Sequence, residues 1–242
     1  MLKNLQKQNF YDAMKIMSSN PSWAILEENN LLALKSPARI PLVNTVWGEP
    51  SVANIKKAKE FYLPKPFSWV LTPQQQDILL LNTGFKGPDL TYEMVINLND
   101  YAAQKYDPAI TIIEVKTKQQ LFQWAQLVGE TFELNTHDVI EFFKPFIDVA
   151  GDVPFLALYN NEPAATSLVF CSGEIAGIYA MSTRAKFRRR GLGTAAVQAC
   201  LDLAKSRNMK NAVLYASMIG KFLYEKIGFQ TVQELNEYFY KP

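Results

Sequence analysis

Between Arg184 and Arg190 five of seven residues are basic, and Gly191 and Gly193 follow at once on either side of Leu192. This is the composition of an anion cradle. The first N–H groups of a helix have no intrahelical partner, the helix dipole adds partial positive charge there, and glycines let an oxygen-rich ligand approach the backbone. Basic side chains then neutralise the ligand. Leu192, Ala196, Ala199, Cys200 and Leu203 recur at helical spacing, with Gln198, Asp202 and Lys205 opposite, so the glycines open an amphipathic helix. The letters GLGTAA also fit the dinucleotide fingerprint, but the context is wrong. A charged segment separates the preceding strand from Gly191, and the next strand ends in Ala216 and Ser217 without a ribose-binding acid. No GK[ST] follows, which excludes a Walker loop.

The surrounding pattern supplies the elements that must hold this loop. Thr117 and Gln120 form a capping box before a helix over about 118–133, and a second helix is expected from near Asp138, disturbed at Pro145 and ended by Gly151. Residues 111–116 alternate as a strand, and 155–159, 164–171 and 175–183 read as three strands of an antiparallel meander. After the glycine helix come a strand at 212–217, a short helix closed by Gly228, and a strand from Gln230.

With 242 residues, 48% hydrophobic, 20% charged and a net charge of +2, the chain has the composition of a globular protein of one large or two modest domains. No apolar run approaches the roughly 18–20 residues of a membrane span, and the start lacks a secretory apolar region, so a cytoplasmic location without membrane contact is expected. Cys171 and Cys200 cannot build a disulfide framework, and with His137 as the sole histidine no zinc site is expected. His137 has no GxSxG partner for a triad. The arginines lack interleaved aromatics, which argues against nucleic acid as the partner.

Arg188 to Gly193 meet the signature Q/R-x-x-G-x-G/A, and the chain resembles the GCN5-related N-acetyltransferase (GNAT) superfamily. The strand IAGIYAMST before the loop, the helix after it, the strand AVLYAS, and Tyr224 four residues before Gly228 and Phe229 extend the likeness over residues 111–242. The resemblance implies a mixed α/β (α+β) fold whose central, mostly antiparallel sheet is flanked by helices. It implies acetyl-CoA as cosubstrate, with the amides of Arg189, Arg190, Gly191, Leu192, Gly193 and Thr194 holding the diphosphate beside Arg188. Met181, Ser182 and Thr183 would pair with pantetheine, Ser217 and Tyr224 would also contact the cofactor, and Arg184 and Lys186 would reach the 3′-phosphate. Tyr224 would be the general acid, and a backbone N–H near Met181 would meet the oxyanion.

The base is open among Glu174, Glu130, Glu133, Asp138 and His137. Residues 130–152 hold six acids against Lys144, an acidic lip suited to a cationic acceptor. The reading is therefore an N-acetyltransferase acting on a small-molecule or peptide amine in a ternary complex. A non-catalytic acyl-CoA sensor is the alternative, and a homodimer is left open.

Residues 97–110 read as a linker dividing a catalytic domain at 111–242 from a smaller half at 1–105. In that half residues 66–98 repeat the outline strand, short helix, Gly-Phe, strand. Gly84 and Phe85 stand for Gly228 and Phe229, and Leu80 falls where Tyr224 does. The turn before its longer helix has one glycine and no arginine, so this half is expected to be GNAT-like but degenerate.

Overall fold

The computed structural model describes residues 4–18, 22–28, 30–75, 77–148 and 152–242. In chain order the elements are α1 (Leu5–Met17), β1 (Ala24–Glu28), β2 (Leu31–Lys35), β3 (Thr45–Trp47), α2 (Val52–Tyr62), β4 (Phe67–Leu71), α3 (Ile78–Asn82) and β5 (Lys86–Asn97). There follow β6 (Ile110–Glu114), α4 (Lys118–Phe132), α5 (Thr136–Asp148), β7 (Val153–Tyr159), β8 (Glu162–Ser172) and β9 (Ile175–Thr183). The chain continues through α6 (Leu192–Ser206), β10 (Asn211–Ser217), α7 (Met218–Ile227) and β11 (Gln230–Tyr240). Helix α4 carries the full Thr117–Gln120 capping box, and Pro145 lies inside α5 without ending it. Gly151, expected to close that helix, lies outside the described residues. Gly228 closes α7 in the left-handed conformation at φ 112°. Among the described residues no helix is long and apolar enough to cross a membrane.

All eleven strands join one sheet, ordered β1-β2-β3-β4-β11-β5-β10-β9-β8-β7-β6. Strands β7 to β9 form the expected meander, and β6 extends it antiparallel to β7. The surprise is the middle. β5, from the first half of the chain, lies between β10 and β11, and β11, from the second half, lies between β4 and β5. The sheet thus runs unbroken across the polar segment at 97–110. The two halves also repeat each other: β3 and β4 are parallel, as are β9 and β10, and each second strand leads through a short helix and Gly-Phe into the exchanged strand.

Helices cover both faces. Trp69, Leu71 and Tyr238 pack on α2 and α3, while Met94, Ile96 and Leu214 pack on α6 and α7, all on one face. The five residues of β4 are buried throughout, which is why FSWVL carries apolar residues on both faces, with Ser68 as the one polar residue, its hydroxyl bonded to Thr45 Oγ1. The opposite face carries α1, α4 and α5, with Leu34, Trp47, Val70 and Leu235 beneath α1 and α5.

The sequence reading placed no element at α1, whose docking depends on polar contacts. Glu93 on β5 accepts the backbone N–H groups of Asn4 (2.9 Å) and Gln6 (3.0 Å), so a carboxylate from the sheet caps a helix that has no side-chain cap of its own. Asn9 is fully buried. Its amide donates to Phe170 O, Ser172 Oγ and Ile175 O, and its oxygen accepts from the Tyr179 hydroxyl at 2.6 Å. The side chain fits because residue 177 is glycine. A Cβ there would stand 2.0 Å from Asn9 Oδ1. Gly177→Ala is expected to destabilise the protein by about 1–3 kcal/mol in chemical denaturation, the usual range for overpacking. In Asn9→Ala the same change is expected to cost less, a non-additivity that a double-mutant cycle measures directly.

Candidate active site

β9 and β10 share only a short parallel ladder, from Asn211 opposite Ile175 to Val213 opposite Gly177. Beyond it they part. β10 stays with β5 as far as Ser217 opposite Thr91, and β9 stays with β8 as far as Thr183 opposite Ala165. A wedge therefore opens between their carboxyl ends, leaving backbone groups of both strands facing it.

On the β9 side of this wedge the ladder is interrupted. Ala180 and Met181 together stand opposite the single residue Ser167, and Ala180 has a left-handed φ of 51°. This is a β-bulge, which leaves a backbone unit outside the pairing and re-aims its neighbours. The hydroxyls around it are tied. The Ala180 carbonyl accepts from Thr166 Oγ1 at 2.7 Å, and that hydroxyl also meets Ser182 Oγ at 2.7 Å. Ser167 gives its hydroxyl to Ala196 O and its carbonyl takes the Trp124 indole N–H at 3.1 Å. Without a glycine at 180, nothing in the local sequence signals the bulge. Ser182 is buried with its side chain so engaged, and it can meet a ligand at the wedge only through its backbone.

The basic loop turns from β9 into α6 next to the bulge. Arg189 and Gly191 are left-handed, at φ 64° and 81°, and a buried Phe187 pins the loop to Ala165, Ala195 and Ala196. Ala195 is the first amide to donate within the helix, to Gly191 O at 3.0 Å. Among the described residues the N–H groups of Arg189 to Thr194 make no hydrogen bond, and they cluster at the tip of α6. A Cβ on Gly193 would meet Leu223 Cδ2 at 3.1 Å and Thr183 Oγ1 at 3.9 Å, so the tip of α6, the end of β9 and α7 converge. Leu192 is buried and offers this point only its amide.

The side chains of the loop differ from expectation. Arg184 donates to Glu130 through two nitrogens, at 2.7 and 2.9 Å, and to Pro163 O, while Lys186 pairs with Glu162. Neither is free to reach a 3′-phosphate, because acids that are distant in sequence fold against them. Arg188 reaches back to Thr183 O at 3.2 Å, and Arg190 lies over the Tyr159 ring. Arg189 is exposed and makes no side-chain contact of this kind among the described residues.

Ser217 caps α7 by accepting the Gly220 N–H at 3.2 Å. Tyr224 lies one turn further on, packed edge to face on Phe229 and against Met94, Cys200 and Ile227. Its hydroxyl makes no hydrogen bond within the described chain, and burial, with the nearby Cys200, raises the phenol above the usual tyrosine range. A Cβ on Gly220 would stand 3.2 Å from the Tyr224 ring, tighter than ordinary contact. Met218, Ile219 and Phe222 are exposed on the same helix.

The proposed bases fare unevenly. Glu174 precedes β9 at the end opposite the wedge, paired with Lys210 at 2.5 Å, and lies seven residues from Met181, roughly 23 Å of extended strand. That separation removes it. Glu130 is held below the usual carboxylate range by Arg184, which makes it a poor proton acceptor. Asp148 pairs with Lys144 and Glu130 with Arg184, so part of the acidic lip is compensated, and His137 lies 3.8 Å from Glu141. Glu133 caps α4 in a left-handed conformation, and Asp138, half-buried, lies beside the exposed His137 and Glu141.

Sequence reasoning missed the polar groups on the α1 face of the central strands. Tyr215 on β10, Glu93 on β5 and Glu237 on β11 all lie there, and the charges of both acids raise the Tyr215 phenol further than its burial alone. Glu237 is pushed up to about 7, mainly by burial. Only the exchange of β5 and β11 brings these residues to β10.

Residues 119–229 match the model of the Acetyltransferase (GNAT) family, and this part of the chain is a GNAT domain. The whole chain has the GNAT fold in its two-part form. It superposes on a GCN5-related N-acetyltransferase from Kribbella flavida with a TM-score of 0.68 at 15% identity, covering 95% of this chain and 94% of that one. A GCN5-related N-acetyltransferase from Sphaerobacter thermophilus gives 0.64 at 14%, covering 90% and 83%. A tandem GNAT protein from the clavulanic acid biosynthesis pathway gives 0.59 at 11%, covering 99% and 95%. No curated protein matches the sequence.

A carboxyl whose pKa is raised by folding stabilises the protein below its ordinary value and loses that contribution as pH rises through the folded value. For Glu237 this window runs from 4.5 to about 7. Denaturant titrations across it are expected to show a fall in stability for the native chain that is smaller in Glu237→Gln. An equal fall in both removes Glu237 as its source.

Proposed function

We propose that this protein is an acetyl-CoA-dependent N-acetyltransferase acting by direct attack of a primary amine in a ternary complex. The observation that carries the reading is the convergence, around one wedge, of six unpaired amides at the tip of α6, the bulge at Ala180 and Met181, and the unbonded hydroxyl of Tyr224. Each answers a different part of the cosubstrate. The diphosphate takes the amides of Arg189 to Thr194, with Arg188, Arg189 and Arg190 supplying countercharge at the rim. Extended pantetheine, which carries amides of its own, adds to the free edge of β9 from Met181 to Thr183, opposite Ser217.

The thioester carbonyl then lies at the bulge. As the amine attacks, negative charge grows on that oxygen and a backbone N–H at Met181, outside the ladder, stabilises it. Collapse breaks the carbon–sulfur bond, the leaving thiolate takes its proton from Tyr224, and the proton lost by the amine nitrogen passes through solvent and restores the phenol. Burial suits the phenol to this work because it keeps the proton on, ready to be donated to the thiolate charge that develops beside it. A sensor that only binds acyl-CoA needs no such donor.

Tyr224→Phe is expected to lower kcat by 10²-fold or more, within the usual range for a general acid, with the Kd for CoA unchanged within about twofold. Unchanged turnover would remove the acid assignment. Because burial raises the phenol, kcat is expected to show no loss attributable to tyrosine ionisation up to pH 10, the ordinary value. Gly193→Leu is expected to weaken CoA binding at least tenfold by calorimetry, since its side chain meets Leu223 and holds phosphate off the amides.

A further inference from the structure

We propose that Phe222 stacks on the adenine of the cosubstrate, so that the nucleotide end of acetyl-CoA lies along the outer face of α7. The proposal rests on the acyl-transfer reading above and adds the residue that recognises the base. Leu223 is the contact of α7 with the tip of α6: a Cβ on Gly193 would meet its Cδ2 at 3.1 Å and its Cδ1 at 3.9 Å. Phe222 precedes it, about 1.5 Å along the axis of α7 and about 100° around it. A diphosphate on the bare amides of α6 has Leu223 at its side and Phe222 at the rim. The adenosine is joined directly to that diphosphate and must leave the cradle across such a rim.

The other rings near the cleft are committed. Phe187 is buried beneath the basic loop and packs on Tyr159, whose own face is taken by the Arg190 guanidinium at 5.0 Å. Tyr224 and Phe229 are buried against each other, and Lys221 Nζ lies over the Tyr92 ring at 4.2 Å. Phe222 is 65% exposed and, among the described residues, meets no other ring and no cation. Its ring needs no cavity, because a flat base can lie on it from solvent. Base–aromatic stacking is tolerant in just this way, since every base has a π-face.

Phe222 does not stand alone. Met218 and Ile219, four and three residues before it, neighbour it on the helix surface, and Ile219 is 88% exposed. Single exposed apolar side chains are ordinary, but three contiguous ones beside a binding cleft mark a surface that a ligand or partner covers. Continuity with the cradle names the occupant: Ile219 shares the line of Leu223, on which the apolar pantoate carbons next to the diphosphate can rest, and Phe222 takes the base. The first half of the chain differs at this point too. Six residues before its Gly-Phe pair it has Ile78, exposed but without a flat ring, so the aromatic side chain stands in the half whose helix tip is bare. One consequence is selectivity for the free coenzyme over donors that carry pantetheine without adenosine.

Calorimetry with CoA and with 4′-phosphopantetheine, which lacks the adenosine, tests this. Phe222→Ala is expected to weaken CoA binding by about fivefold or more, the lower end of what losing one base–aromatic stack does, and to leave 4′-phosphopantetheine within about twofold. Phe222→Trp keeps a ring and is expected to hold CoA as tightly as the native chain. Its added tryptophan fluorescence is expected to be quenched by CoA and not by 4′-phosphopantetheine. An unmoved CoA affinity in Phe222→Ala, equal weakening of both ligands, or no added quenching in Phe222→Trp overturns the assignment while leaving acyl transfer standing. A native dimer that Phe222→Ala separates, with CoA held as before, gives the ridge to a second copy and overturns it equally. Absence of CoA binding by the native chain overturns both readings.

Discussion

A β-strand that leaves its neighbour strips a row of amides and carbonyls of their partners, and the remaining edge must be held by something else. This constraint governs the molecule. β9 and β10 can part after three paired residues because each is secured on its far side, β9 by β8 and β10 by β5. The wedge is thus an interruption that the rest of the sheet makes affordable in hydrogen bonds. Ligand-binding crevices at the carboxyl ends of parallel strands have this origin generally. Here the crevice is sharpened by the bulge at Ala180, whose loose polar ends are tied to Thr166 and whose opposite residue, Ser167, is tied to Trp124 and α6.

Much of this was legible in the residues. The strand from Ile175 to Thr183 and the helix from Leu192 were readable because their periodicities are clean and glycine marks the junction between them. The capping box at Thr117 and the left-handed Gly228 are local chemistry, and local chemistry survives folding. The partners of Arg184 and Lys186 were not legible, because Glu130 and Glu162 are brought to them by tertiary structure alone. The bulge was invisible for a related reason: its cause is a hydroxyl at Thr166, fourteen residues before Ala180, rather than a residue that itself prefers a left-handed backbone. Helix α1 escaped notice because its stability comes from Glu93 and from a buried Asn9, not from a strong apolar stripe or a cap of its own.

The two halves repeat an order of elements while differing where chemistry would be required. Leu80 in α3 is fully buried in an apolar cluster with Trp69 and Phe85, where the corresponding residue of α7 is a tyrosine with an unbonded hydroxyl. The turn before α2 caps that helix with Ser51, which satisfies the amide of Asn54, whereas the tip of α6 leaves its amides bare. One half has spent its helix end on its own stability, and the other has kept it available. The same order of elements thus serves as support at one end of the sheet and leaves a bare helix tip at the other.

The exchange of β5 and β11 also fixes an order of assembly. Thr91 and Leu235 are hydrogen-bonded neighbours although 144 residues separate them. During translation β5 emerges long before either strand that will flank it, so a nascent chain must carry it unpaired until β10 and then β11 leave the ribosome. Apolar residues such as Met94 and Ile96 make that waiting period a window in which chaperones have something to hold.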